Sequence, residues 1–189
     1  TACRLSLRET VAVPLRDKNF RRFMLFSMYW QGSVMLAAPF VIPYFLQYLH
    51  LTYTQVAIWA AIASICSLFV SPLWGKVADR VGHKWVLTVT TILAGSIHPL
   101  CWILATPGHL LFIWVSGVID ALSWGGLNPS MFNMGISTAP KNYRMAYVAM
   151  LGAATGLMGC VTGLLSGPLL HQLLRWKFSL GTYEWTGYH

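Results

Sequence analysis

Five long apolar stretches constrain this chain more than any other feature of its sequence. They run from about residue 23 to 46, 55 to 73, 85 to 105, 110 to 137 and 146 to 174, with short polar segments between them. The hydrocarbon core of a bilayer is about 30 Å thick, and a helix needs about 20 apolar residues to cross it. The sequence therefore predicts an all-α fold, a polytopic transmembrane helical bundle with five spans.

The composition also favours a membrane protein. Hydrophobic residues make up 56% of the chain and charged residues only 10%, whereas soluble domains carry about 25% charged residues. The net charge is +8, but the charges lie in clusters between apolar stretches, so the predicted partner is the lipid bilayer and not nucleic acid. The four cysteines are far apart and lack metal-ligand spacing, so we predict no metal site, disulfide framework or cofactor.

The basic residues predict how the spans are oriented. Short connections make successive spans antiparallel, and on that basis eleven of the thirteen Lys and Arg residues fall on one side of the membrane. Basic loops stay in the cytoplasm, so the N-terminal segment is predicted to be cytoplasmic in a multi-pass protein of the cell or inner membrane. Residues 1–22 would form a basic cytoplasmic lead-in, 23–174 the bundle, and 175–189 an extracytoplasmic loop.

The charged segment between spans two and three is the most specific motif. It reads Gly75-Lys-Val-Ala-Asp-Arg-Val-Gly-His-Lys84, which is Gly, three residues, Asp, Arg, any residue, Gly, then basic positions. This pattern resembles the signature loop of the major facilitator superfamily, which lies after the second span of a six-span half on the cytoplasmic side. The resemblance implies a gate that holds one transport state closed, with these residues: Gly75, Asp79, Arg80, Gly82 and Lys84.

Three residues of this loop have predicted structural roles. We expect Gly75 to end span two, where a missing side chain lets another helix approach closely. We expect Gly82 to supply the left-handed backbone of a helix-ending turn. Asp79 lies near the negative end of its own helix, so it should face a helix N-terminus or an arginine. His83 stands where the family usually has Arg or Lys.

The resemblance also implies that the chain is part of a larger protein. The segment from Pro14 to Arg22 resembles the link between the two halves of bacterial members, so we predict the C-terminal half of a twelve-span transporter that stops before its last span. The N-terminal half is the alternative. The chain begins at Thr1 and ends at His189 without a recognisable terminus, and we expect it to be cut at both ends.

Glycines and prolines recur within the spans. Small-residue spacing in span five predicts tight helix packing and involves Gly152, Gly156, Gly159, Gly163 and Gly167. The stretch from Gly163 to Pro168 resembles a motif of drug/proton antiporters, but His171 and Gln172 replace two glycines that usually follow. Every predicted span contains proline, and either kinked packing or hinges around a cavity would explain this.

Asp120 is the one acidic residue inside a predicted span. It lies roughly 15 Å into span four, where an ionised carboxylate costs roughly 2.5–3.5 kcal/mol, so it should face a cavity or be protonated. Trp124 and Asn128 follow on the same helix face, and the resemblance implies a cavity lined by spans one and four, which adds Gln31. We predict that these four residues bind solute or couple protons, with an interhelical hydrogen-bonded acid as the alternative. His98 is predicted to be a packing residue.

These observations predict a secondary active transporter that moves a small solute by alternating access, with the proton as the favoured coupling ion. Its partners would be the solute, the bilayer and the other six-span half. The chain is not predicted to be an enzyme, because no cluster of catalytic acids, histidines or serines lies at one depth. The phosphate-binding pattern GxxxxGK[ST] does not occur, so direct use of ATP is not predicted. A polytopic channel or scaffold without transport activity is the alternative.

Overall fold

The computed structural model describes residues 7–173, 178–180 and 183–185, and most of them are α-helical. Five helices are long and apolar enough to cross a membrane: Lys18–Tyr48, Tyr53–Val81, His83–Ile103, Leu111–Thr138 and Lys141–Gln172. These are spans one to five below. They coincide with the five predicted stretches, so the all-α polytopic helical bundle is confirmed.

Shorter elements precede and follow the five spans in the chain. The helix Leu7–Arg16 precedes span one, and the strands Phe178–Leu180 and Tyr183–Trp185 pair antiparallel after span five. This strand pair falls within the predicted loop 175–189. The other residues of that loop, and residues 1–6 of the predicted lead-in, lie outside the described residues.

Local capping explains where spans one and two begin. The Asp17 carboxylate accepts hydrogen bonds from the backbone N–H groups of Asn19 at 2.9 Å and Phe20 at 3.1 Å, which satisfies two otherwise unpaired donors of span one. Span two begins with a capping box. Thr52 Oγ1 accepts from the Gln55 N–H at 3.3 Å, and Gln55 Oε1 accepts from the Thr52 N–H at 2.8 Å.

Spans one and three depart from α-helical geometry near their prolines. After Ala37, span one passes through a 3-10 turn at Ala38–Phe40 and a single turn at Val41–Pro43 into a π-helical turn at Tyr44–Tyr48. Span three contains a π-helical turn, Leu93–Ile97, two residues before Pro99. A proline ring crowds the carbonyl one turn before it, and a wide turn relieves that contact. Spans two, four and five remain α-helical through their prolines.

The chain divides into two compact units, and the first comprises Thr1–Pro39 and Asn133–Arg175. In this unit the beginning of span one packs against span five. The rings of Phe20 and Tyr147 meet edge to face with their centroids 4.5 Å apart, and the Tyr147 hydroxyl donates to Asp17 Oδ2 at 3.4 Å. One buried hydrophobic cluster of this unit consists of Phe20, Met24, Ala139 and Tyr147.

The second unit comprises Phe40–Phe132 and Trp176–His189. It contains a hydrogen-bonded serine, Ser116 of span four, which is fully buried. Ser116 Oγ accepts the indole N–H groups of Trp59 and Trp102, each at 3.1 Å, and donates to the Ile113 carbonyl at 2.7 Å. Spans two, three and four are therefore joined by polar contacts that leave neither indole N–H unpaired in an apolar surrounding.

A second close contact in this unit involves Gly126 of span four. A Cβ atom at Gly126 would lie 2.7 Å from Thr90 Cγ2 of span three and 2.8 Å from Trp74 Cδ1 of span two. The Trp74 ring is held in place because its N–H donates to the Leu122 carbonyl at 2.8 Å. Gly126 is therefore a position at which three spans meet without room for a side chain.

Of the five glycines that were predicted to pack span five against another helix, Gly159 does so, against span one. A Cβ atom at Gly159 would lie 3.2 Å from Met35 Cγ and 3.4 Å from Gln31 Cγ of span one. Within the described residues nothing lies within 4 Å of the corresponding position in Gly152, Gly156, Gly163 and Gly167. Within the described residues the predicted close packing is thus found at Gly159 and is not found at those four glycines.

Candidate functional site

Asp120 and Trp124 are adjacent on one face of span four. Asp120 is the tenth residue of the helix Leu111–Thr138, and its side chain is 22% exposed. The Trp124 side chain forms a hydrogen bond with the Asp120 carboxylate, as expected for residues one turn apart. The acid is thus held in a defined orientation while part of its surface stays accessible.

His98 of span three faces this carboxylate. Its Nε2 lies 3.6 Å from Asp120 Oδ1, which is too long for a hydrogen bond but within the distance of about 4 Å at which a protonated imidazole and a carboxylate form an ion pair. His98 is buried, and its Nε2 has no hydrogen-bond partner among the residues that the structure describes. The Trp102 ring packs edge to face against the imidazole, with the centroids 4.7 Å apart.

Sequence reasoning identified both residues but did not connect them. His98 follows directly after the π-helical turn Leu93–Ile97, and this turn decides which way the imidazole points. The presence of Pro99 was the one available signal that span three would deviate here. In the described part of the chain, no third His, Cys, Asp or Glu joins the pair to form a group that could hold a metal ion.

The other two predicted binding residues are Asn128 and Gln31. Asn128 is exposed on span four, one turn beyond Trp124. Gln31 belongs to the first unit, where its Cγ and Nε2 lie 3.4 and 3.5 Å from the Cβ position of Gly159. Within the second unit Asp120 and Trp124 are thus in contact, and within the first unit Gln31 packs against span five.

The predicted gating loop is shorter than its sequence suggests. Span two continues as a helix to Val81, and span three begins at His83, so Gly82 alone joins them. Gly82 has φ 91° and ψ 148°. The expected positive φ is present, but with an extended ψ instead of the left-handed helical value, in a region that is essentially restricted to glycine.

The charged residues of the loop lie at the surface of the chain. Asp79, Arg80 and Lys84 are all exposed. The one contact between described basic and acidic side chains within 4 Å is that of His98 with Asp120, so Asp79 has no basic partner within this part of the chain. Gly75 does not end span two as expected, and nothing described lies within 4 Å of its Cβ position. The predicted close approach of another helix at Gly75 is therefore not found here.

Replacing Gly82 by Ala is expected to destabilise the turn by about 1–3 kcal/mol, because the new Cβ strains the backbone in this region. The surrounding space is open, so the cost arises from the backbone alone. Gly75→Ala is the matched control, since Ala in a helix interior is about 0.5–1 kcal/mol better than Gly. In thermal unfolding of the purified protein in detergent, the unfolding temperature should be lower than that of the wild type in Gly82→Ala and higher in Gly75→Ala. Equal unfolding temperatures would contradict this account of Gly82.

Comparison with known proteins identifies the family. Residues 23–182 match the Major Facilitator Superfamily. The chain is similar to the Staphyloferrin B transporter of Staphylococcus aureus (strain NCTC 8325 / PS 47), with 25% identity over 117 residues, which cover 56% of this chain and 27% of that relative. The chain thus spans about a quarter of the length of this relative. No solved structure shows a significant match.

The family match covers most of the chain and includes the charged loop between spans two and three. It agrees with five helices that are long and apolar enough to cross a membrane. This chain is an integral multi-pass membrane protein that belongs to the Major Facilitator Superfamily of transporters.

Proposed function

We propose that this chain forms five spans of one six-span half of a secondary active transporter. The transporter moves a small solute by alternating access, in which the two halves of one polypeptide rock around a site near the bilayer midplane. Solute movement is coupled to the proton gradient. The N-terminal segment and both basic loops face the cytoplasm, and the basic lead-in before span one favours the C-terminal half.

The observation that carries proton coupling is the partly exposed Asp120. The sequence between Lys84 and Lys141 contains no Lys, Arg or Glu, and Asp120 is the one Asp there. It lies nine residues after Leu111, or about 14 Å along the helix. A charged side chain at this depth costs roughly 2.5–3.5 kcal/mol, and a residue that only filled space would not need the charge. Its accessible carboxylate can bind and release a proton.

The exposed charges at the junction of spans two and three support a gate. Asp79, Arg80 and Lys84 lie at one end of the bundle, on either side of Gly82. Their exposure leaves them available to groups outside this chain, such as the other half of the transporter. Ion pairs there would break and re-form as the halves rock. A surface pair of this kind is worth only about 0–1 kcal/mol, so such a gate can open readily.

Transport by the complete protein tests the proposal. The full-length protein that contains this chain would be reconstituted into lipid vesicles, and counterflow measured with a panel of labelled solutes that includes staphyloferrin B. We expect counterflow of at least one solute, and accumulation that follows an imposed pH gradient and disappears when a protonophore is added. A solute that equilibrates without showing counterflow would instead support a channel. Absence of flux for the whole panel would favour a scaffold.

A further inference from the structure

We propose that the proton is bound by His98 and Asp120 as a pair, shared between the imidazole of span three and the carboxylate of span four. This inference rests on the proposed proton coupling and assigns a second residue to it. His98 Nε2 and Asp120 Oδ1 are 3.6 Å apart. A shift of either span by less than 1 Å would bring them within hydrogen-bond distance, so the helical packing controls the contact.

No other charged residue lies near His98 and Asp120 in the sequence of the surrounding spans. The sequence contains no Lys, Arg, Asp or Glu between Arg22 and Lys76, and between Lys84 and Lys141 none except Asp120. On its own helix Asp120 also meets the neutral indole of Trp124. A buried charge without a partner is costly, and among the described residues His98 is the basic group that lies within 4 Å of the Asp120 carboxylate.

The neighbouring titratable groups are engaged elsewhere or do not face the pair. Tyr44 of span one stacks on the Trp102 ring with the centroids 6.4 Å apart, and its hydroxyl donates to the Trp102 carbonyl at 2.6 Å. Tyr48 stacks on Tyr44. Cys101 is buried on span three, but as a neutral thiol it adds no charge. From span two, the packed group is the indole of Trp59, which donates to Ser116.

One proton determines the net charge of the pair. Without it, a carboxylate faces a neutral imidazole, and the pair carries one negative charge. With it, the pair is neutral overall, whether the proton lies on Asp120 Oδ1 or on His98 Nε2. Transfer between them breaks one O–H bond and forms one N–H bond, and no other reactant is required.

This charge change can be linked to alternating access. A neutral pair can be enclosed between helices, whereas a pair with an uncompensated carboxylate is stabilised by contact with water. Loading one proton therefore favours the states in which the pair is closed off. Proton binding is coupled to alternating access because the proton changes which arrangement of spans three and four is more stable.

Infrared spectroscopy of the purified full-length protein in lipid nanodiscs tests the pairing without knowledge of the solute. The protonated-carboxyl band of Asp120 is identified as the band lost in Asp120→Asn, and its intensity is followed against pH. Strongly interacting groups titrate as a pair. We therefore expect His98→Gln to move the midpoint of this band by about tenfold or more in proton concentration. His109→Gln is the control, because His109 lies exposed in the turn before span four.

The outcomes separate this inference from the proposed function. If the Asp120 band titrates with the same midpoint in wild type and His98→Gln, the pair is overturned while proton binding by Asp120 stands. If Asp120→Asn removes no titrating band, proton binding by Asp120 itself fails.

A reciprocal measurement covers the case in which His98→Gln does not fold. Coupling between two sites must act equally in both directions. The ring nitrogen signals of ¹⁵N-labelled His98 should therefore titrate differently in Asp120→Asn and in wild type. An unchanged His98 titration would overturn the pair.

Discussion

Replacing Asp120 by Asn is expected to abolish solute accumulation driven by a pH gradient while counterflow continues. Asn keeps the size of the side chain and an oxygen that can accept the Trp124 N–H, but it cannot bind a proton in the accessible range. A gradient of one pH unit is worth about 1.4 kcal/mol per proton, which corresponds to an accumulation of up to about tenfold per pH unit for one coupled proton. The loss should therefore be large. It is measured with labelled solute in vesicles at several external pH values.

Trp124→Phe is the matched control for this experiment. It retains the carboxylate and the aromatic ring but removes the N–H that hydrogen-bonds to Asp120. Accumulation should persist in this variant, with an altered pH profile, because the hydrogen bond favours one protonation state over the other. Equal accumulation by wild type and Asp120→Asn at every pH would refute the coupling role of Asp120.

Replacing Gly126 by Val is expected to cost about 3 kcal/mol or more, which would remove most of the folded protein. Even a single Cβ would lie 2.7 Å from Thr90 Cγ2 and 2.8 Å from the Trp74 ring. The ring cannot easily withdraw, because its N–H is bonded to the Leu122 carbonyl. Spans two and three would have to separate from span four. Thermal unfolding and the recovery of monodisperse protein in detergent measure the effect.

Gly152→Val controls for the intrinsic effect of valine in a transmembrane helix. Nothing described lies within 4 Å of the Cβ position of Gly152, so the variant should unfold close to the wild-type temperature. If Gly126→Val were as stable as Gly152→Val, the close contact among the three spans would be disproved.

The number and type of spans could be predicted because hydropathy depends only on composition within a window. Their ends were less predictable. Span two was expected to end near Leu73 but continues to Val81, since Lys76, Asp79 and Arg80 are compatible with a helix although they are not apolar. Hydropathy detects the apolar part of a helix that lies in the hydrocarbon core, and the helix itself can extend beyond that part.

The candidate site was predictable only along one helix. Helical spacing was enough to relate Asp120 to Trp124, because both lie on span four. The contact of Asp120 with His98 depends on how spans three and four are rotated toward each other, and no periodicity in the sequence contains that information. The same limit explains the glycines of span five, where spacing identified a face but not which glycine contacts span one.

The π-helical turn Leu93–Ile97 sets the helical register of His98 relative to the start of span three. A π-helical turn holds about one residue more than an α-helical turn, so deleting one residue in it, such as Gly95, would restore an α-helix and leave His98 and Trp102 on nearly the same face of span three. A one-residue insertion in the same turn cannot be absorbed in this way, and it would rotate both side chains by about 100° around the axis of span three. The His98–Asp120 contact therefore tolerates a deletion at this turn but not an insertion, although every residue of the pair is unchanged in both cases.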